Sequence, residues 1–465
     1  MGIGRFDART YLHVMAAPAP LPADAGDPSF AELLAARPHL ALHAHDGLVM
    51  DEAPLAAIAD AVGTPCFVYS AATIRRRYQA LADALNRAGL DAHIHYAVKA
   101  NDHLAVLALI AREGGGADVV SQGEFARAVE AGIPPARIVY SGVGKTPAEL
   151  ADALPRGIAQ INVESAEELE MIAALAAAGG WRARVALRVN PDVDAGTHPK
   201  ITTGLAENKF GIPYASAAAL FARAVRLPGL EPVGVAVHIG SQITAMAPFR
   251  AAYGRIADLV RALRGAGLPV LRVDCGGGLG ITYRDEIAPP PDALAGVLRA
   301  TLGGLGVRLI VEPGRWLVAP AGVLLASVVL VKEAAPRRFV VLDAGMNDLL
   351  RPALYDAWHG IVPLAAADAA AAVSPAEVVG PVCESADVFA RARALPALAP
   401  GARVAILDAG AYGAVMSSAY NARPPAAQVM VEGARWHVIR PRPPLAALWR
   451  DEIVPPFLAG GTGRG

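Results

Sequence analysis

From residue 66 to about residue 315 the chain repeats one pattern: a short apolar run, a turn, then a longer alanine-rich amphipathic stretch. The apolar runs at 93–98, 116–120, 137–141, 160–163, 184–189, 232–238, 270–275 and 308–312 read as buried strands. Between them Asp102–Arg112, Gln122–Glu130, Ala166–Ala178 and Phe249–Arg264 carry helical spacing. Gly132-Ile133-Pro134, Gly179-Gly180 and Gly267-Leu268-Pro269 fall where helices hand over to strands. Eight such units over about 220 residues have the period of a TIM (β/α)8 barrel, not of an open doubly wound sheet.

After Arg315 the texture changes. Val323–Lys332, Arg338–Asp343, Glu377–Val382, Ala402–Asp408, Ala427–Val431 and Arg435–Arg440 are strand-like, separated by Gly/Pro turns, with little helical period. The fold class is therefore α/β plus all-β, with the barrel inserted into a C-terminal β-sandwich-like or β-barrel-like domain. The expected divisions are a flexible N-terminal extension over 1–40, strand material joining the β domain over 41–65 (Leu42–Val49 above all), the barrel over 66–315 and the β domain over 316–465. The alanine-rich piece 364–373 is either a surface helix or a disordered loop.

Composition narrows the function classes. The 465 residues are 54% hydrophobic and 18% charged, enough for a large core, and the net charge of -1 comes without a basic block. Nucleic acid or an anionic membrane is not expected as a partner. The longest uncharged run considered as a span, Trp316–Val331, is sixteen residues and contains Pro320 and Gly322, too short and interrupted to cross a bilayer. The N-terminus, with Asp7 and Arg9 ahead of a Pro/Ala-rich stretch, lacks the apolar core of a signal peptide. Cys66, Cys275 and Cys383 form no CxxC pair, so neither a disulfide framework nor zinc is expected, and a reducing cytoplasm fits. His43-x-His45 and His93-x-His95 read as ordinary histidines, and no metal is expected.

Polar residues at the C-terminal ends of barrel strands share one mouth. Here those ends carry Lys99, Ser121, Ser141, Asn190, His238, Gly276-Gly277-Gly278 and Glu312-Pro313-Gly314-Arg315. The chain has five lysines against thirty-seven arginines, so a lysine at this mouth asks for a reason other than solubility. Buried and neutralised, Lys99 is able to form a Schiff base with an aldehyde; the alternative is a surface or salt-bridge lysine. The glycine run follows the seventh strand, where barrel phosphate sites are commonly built from backbone N–H groups; alternatively it is a tight turn without a ligand. Glu312 suits a pyridine nitrogen that must stay protonated, or else braces its turn through Arg315. His238 either stacks on a flat ring or bonds a loop carbonyl. Cys66 and Cys275 read as buried apolar side chains.

Several segments run in the order of a known family. They are Tyr96-Ala97-Val98-Lys99-Ala100-Asn101, Asn190-Pro191-Asp192-Val193-Asp194, Glu207-Asn208-Lys209-Phe210-Gly211 and His238-Ile239-Gly240-Ser241-Gln242. The glycine loop, Glu312-Pro313-Gly314-Arg315, Cys383-Glu384-Ser385 and Gly413-Ala414-Val415-Met416-Ser417-Ser418 complete the set. With these the chain resembles the fold-type III, alanine-racemase-like decarboxylases that use pyridoxal 5'-phosphate (PLP), over about residues 50 to 440. The resemblance implies that Lys99 carries PLP, that Gly277, Gly278, Ser241, Arg315 and Tyr420 hold its phosphate, that His238 stacks on the ring and that Glu312 bonds the ring nitrogen. It implies that Cys383 is the proton donor, reaching in with Glu384 from the second subunit of a homodimer. Gln122, where a small residue is expected, and Ala419, where a polar one is usual, depart from the family pattern.

Within the family, Arg315, Arg351, Tyr355, Glu384 and Tyr420 bear on substrate choice. Arg351 suits a distant carboxylate by bidentate contact and Glu384 a distant ammonium, or else Arg351 is a surface residue beside Pro352. The implied reaction is decarboxylation of meso-2,6-diaminopimelate to L-lysine and carbon dioxide. The rivals are ornithine, arginine or a related diamine precursor on the same fold, and a catalytically silent PLP-binding protein. A racemase of this fold places Arg, not Glu, against the pyridine nitrogen, and a barrel hydrolase needs no PLP. Asp118 and Arg188 are expected to face the barrel interior, without an assigned role.

Overall fold

The structure, a computed structural model, describes residues 26–194 and 209–458. Ala92–Ala97, Gly116–Val119, Ile138–Tyr140, Gln160–Val163, Ala183–Asn190, Leu230–Ala236, Arg272–Asp274 and Arg308–Val311 pair in parallel, and the last returns to the first. The sheet is thus a closed eight-stranded barrel. Its strands are short and buried on both faces, the condition for parallel pairing between two layers of side chains. Helices start where the sequence supplies caps: Ser121 and Ser165 accept from the backbone N–H three residues on, and Thr146 forms a capping box with Glu149 ahead of Pro147. Gly180 ends the helix Ala166–Gly179 in the left-handed conformation.

The second sheet runs in the order Val388–Pro396, Val373–Val379, Arg337–Leu342, Gly322–Ala334, Cys66–Ser70, Ala427–Glu432, Arg435–Arg440. Arg403–Ile406 pairs with both Gly322–Ala334 and Ile361–Pro363. Cys66–Ser70 therefore does not open the barrel, as a boundary at residue 66 requires. All five of its residues are buried between Gly322–Leu325, antiparallel, and Ala427–Val431, parallel. Ser70 N donates to Ala321 O at 2.8 Å, so the chain enters and leaves the barrel at one place.

Two further expectations are corrected. Leu42–Val49 adds no strand to this sheet; Leu40–His43, Gly47–Met50 and Ala53–Pro54 form a small sheet of their own. It docks through a shared apolar core and one bond, Leu48 N to Leu364 O at 2.7 Å. Residues 26–40 are not a loose extension. Phe30–Ala35 is a helix with a Ser29–Glu32 capping box, and Arg37 is buried in an ion pair with Asp408. Residues 1–25 and the pair Glu207-Asn208 lie outside the described residues. The alanine-rich piece contains a short helix, Ala366–Ala369.

Candidate active site

Strand register sets the first pair. Ala97 lies opposite Asp118, and the chain turns into a short 3-10 helix at Val98–Ala100. That brings Lys99 Nζ to 2.6 Å from Asp118 Oδ2, while Asp118 is itself fully buried. Burial alone pushes the Lys99 ammonium toward neutrality, but the carboxylates of Asp118 and Glu312 outweigh it and hold the ammonium above its ordinary range. The expectation that burial neutralises Lys99 is thus reversed: within the bare protein it is a held cation.

Glu312 ends the eighth strand, its backbone N–H bonded to Gly276 O at 2.8 Å. Desolvation, then the charges of Asp118 and Asp274, push its carboxyl well above the usual range, and it shares a hydrogen bond with Asp274. Asp274 accepts from Asn162 Nδ2 at 2.9 Å and from Gly276 N at 3.0 Å. Glu312 Oε1 is buried with no hydrogen-bond partner, as is Asp118 Oδ1. Arg315 turns away from Glu312 to Ser241 Oγ, 3.0 Å from Nη2, and to Tyr283 Oη, 2.8 Å from Nη1. The turn-bracing Glu312–Arg315 pair does not form.

His238 Nδ1 accepts from Gly277 N at 3.2 Å, which leaves the ring proton on Nε2. Burial, aided by Arg188 and Lys99, keeps the imidazole neutral. A Cβ on Gly277 meets Glu312 O at 2.2 Å, and one on Gly278, at φ +109°, meets Gly240 O at 2.6 Å. Only glycine fits this cradle. Lys99, Asp118, Ser141, His238, Asp274 and Glu312 line a cavity of about 190 Å³, and Ser241, Gly278, Arg315 and Tyr412 a smaller one beside it. A wider crevice of about 580 Å³, with Asp91, Arg272 and Arg308 on its walls, opens among residues at the opposite, N-terminal ends of the strands and holds none of this chemistry.

PLP fits the donor set. An amine and a carboxyl group with a partnerless buried oxygen line one cavity, and a glycine cradle with Ser241 and a guanidinium lies beside them. Three buried carboxyl groups against one ammonium favour a ring nitrogen that carries a proton.

Other expected residues lie elsewhere. Arg351 is not a surface arginine: it is 6% exposed, with Nη1 2.7 Å from His359 Nε2 and its Cζ 4.5 Å from the Tyr283 ring centroid. Tyr355 closes the same short helix, Arg351–Tyr355. Cys383 and Glu384, on a loop of the β domain, and Tyr420, at the start of the short 3-10 helix Tyr420–Ala422, are exposed and line neither cavity. Asn421 Oδ1 accepts from Cys383 N at 2.8 Å, tying the two segments together. Sequence reasoning missed Tyr412, whose ring lies 4.8 Å from Arg315 Cζ, and Tyr283. The Tyr283 signal was present, since it follows the glycine loop by five residues. Arg188 pairs with Glu164 at 2.7 Å and covers the Phe210 ring.

The sequence profile of the pyridoxal-binding domain of pyridoxal-dependent decarboxylases matches residues 71–319, and the chain belongs to this class. The diaminopimelate decarboxylase of Zymomonas mobilis is 49% identical over 87% of this chain and 96% of its own length. That of Pseudomonas aeruginosa is 48% identical over 86% and 96%. Within the class, the chain belongs to the diaminopimelate decarboxylase family. The crystal structure of the Helicobacter pylori diaminopimelate decarboxylase complexed with L-lysine superposes with a TM-score of 0.82 at 41% identity, covering 85% of this chain and 98% of that one. The M. jannaschii diaminopimelate decarboxylase in co-complex with L-lysine gives 0.86 at 37% identity, over 91% and 99%.

Proposed function

We propose that this chain is a PLP-dependent carboxy-lyase that converts meso-2,6-diaminopimelate to L-lysine and carbon dioxide. The observation that carries the reading is the buried, partnerless oxygen of Glu312 in the same cavity as the Lys99–Asp118 pair. When bound, PLP supplies an aldehyde for the substrate amine and a protonated ring that accepts the electron pair released as carbon dioxide leaves.

The protein's own groups do the rest. Lys99 holds the cofactor, and Asp118 Oδ2 accepts its N–H bond and keeps the amine aimed at the cavity. Glu312 keeps the ring nitrogen protonated, and neutral His238 lies against the ring without competing for charge. Gly277, Gly278, Ser241, Arg315 and Tyr420 bind the phosphate. Arg315, Arg351 and Tyr355 take the carboxylate at the far end of the substrate, and Glu384 with Tyr420 its ammonium. Cys383 delivers the proton to the carbon that has lost its carboxylate, from the second subunit of a homodimer. Exposure of Cys383, Glu384 and Tyr420 in the single chain supports a site finished by a partner. The barrel thus binds the cofactor and the β domain completes the site. Free thiols at all three cysteines agree with work in the cytoplasm; among the described residues no helix is long and apolar enough to cross a membrane.

Ornithine or arginine as substrate is disfavoured by Arg351. Among the described residues it has no carboxylate within ion-pair reach, and a lone distal amine gives it none. Purified protein incubated with PLP and meso-diaminopimelate is expected to release L-lysine, and the Lys99→Ala variant none. Faster turnover of ornithine than of diaminopimelate overturns the substrate, and a colourless protein that takes up no PLP overturns the class.

A further inference from the structure

Arg315 and Arg351 are two buried guanidiniums that share one aromatic neighbour. Tyr283, 4% exposed, accepts from Arg315 Nη1 at 2.8 Å through Oη. The Cζ atoms of Arg351 and Arg315 lie 4.5 and 5.9 Å from its ring centroid. His359 meets the ring edge-on at 5.5 Å. Its neutral imidazole, with Nδ1 bonded to Leu407 O, accepts from Arg351 through Nε2. Like charges desolvated side by side repel, and long side chains so placed swing toward water unless something holds them. A tyrosine ring does hold them, through cation–π contact with both and a hydrogen bond to one.

Tyr283 is itself held from outside the barrel. Arg37, 3% exposed, grips Asp408 through Nε and Nη2, bonds Leu33 O at 2.7 Å and donates from Nη2 to the Tyr283 carbonyl at 3.1 Å. A continuous line of buried contacts therefore runs from the N-terminal segment to both arginines.

We propose that Tyr283 and Arg37 are specificity-determining positioning residues: Tyr283 sets Arg315 and Arg351 for the substrate's far carboxylate, and Arg37 fixes Tyr283. This rests on the diaminopimelate reading above. A purely structural role lowers stability without changing which ligand ends are preferred.

The test uses the PLP-loaded enzyme and two probes, L-lysine, which keeps the far carboxylate, and cadaverine, which lacks it. Their dissociation constants are measured by calorimetry alongside KM and kcat for meso-diaminopimelate. Tyr283→Phe keeps the ring and loses Oη; Arg37→Lys keeps a cation for Asp408 but cannot also reach the Tyr283 carbonyl. Tyr283→Phe is expected to weaken L-lysine and raise KM by about tenfold, with kcat and the cadaverine constant within about twofold. Arg37→Lys is expected to shift the same ratio by about threefold. A Tyr283→Phe enzyme in which both probes weaken together, or neither does, overturns the proposal whatever Arg37→Lys shows. An unchanged ratio in folded Arg37→Lys, or an Arg37→Lys chain that does not fold, removes Arg37 from it. A wild-type enzyme that ignores meso-diaminopimelate sinks the underlying reading instead.

Discussion

At the scale of single residues, the site is governed by where charge is buried. Asp118, Asp274 and Glu312 line one cavity with Lys99, and burial presses Glu312 to stay protonated. Replacing Glu312 by Ala removes the proposed anchor for the ring nitrogen while leaving Lys99, Ser241 and the glycines in place. Turnover is expected to fall by about 10²–10³-fold, with cofactor affinity changed far less; equal losses in both, measured by activity and PLP titration, refute that role. Outside the site, His39 is a second buried charge problem. Burial first, then Arg76, Arg37 and Arg77, pull it down to about 3. The unfolded chain takes a proton near pH 6.5, whereas the fold refuses it until about pH 3. Between those values acid therefore erodes stability, and above them the contribution is constant. Going from pH 7 to pH 5, unfolding free energies should shift by about 2 kcal/mol in favour of His39→Gln relative to the wild type. A pH-independent gap between the two denaturation curves counts against it. Lys99, Glu312 and His238 were legible in the sequence because strand ends of a barrel converge by construction. Tyr412 and the Lys99–Asp118 pair were not, since they depend on register and on loops far apart in sequence, whereas Tyr283 stands close behind the glycine loop and was passed over.

At the scale of elements, the glycine loop is the tightest construction at the mouth. The Gly277 Cβ position collides with a backbone carbonyl, which cannot rotate aside as a side chain does. Gly277→Ala should destabilise the fold by about 1–3 kcal/mol and weaken PLP binding by about tenfold or more. Normal PLP affinity by fluorescence titration in that variant excludes the loop as a phosphate cradle. The eight barrel strands were readable from the chain because each is a short, largely buried run between turn residues. Two β-domain strands escaped notice for opposite reasons. Ile361–Pro363 is only three residues long, and Val388–Pro396 alternates Ala with Arg and carries a residue at φ +45°, Ala392. Cys66–Ser70 also went unread as a strand, and its place in the second sheet was not legible because its partners lie about 250 and 360 residues further on.

At the scale of the whole molecule, Lys99 sits in the barrel while Cys383 is exposed on the other domain. If each site draws on both subunits, mixing inactive Lys99→Ala and Cys383→Ala chains should restore activity to about one quarter of the wild-type level. Half of randomly paired dimers are then mixed, and each has one intact site. A mixture as inactive as its components places both residues in the same subunit's site. The junction at Ser70 and Ala321 carries a last implication. Both passages between the domains run through a single hydrogen-bonded crossing, so neither domain can be peeled away while its neighbour stays anchored. Heat should melt them in one calorimetric transition, and a cofactor gripped mostly by the barrel should raise the melting temperature of the whole chain.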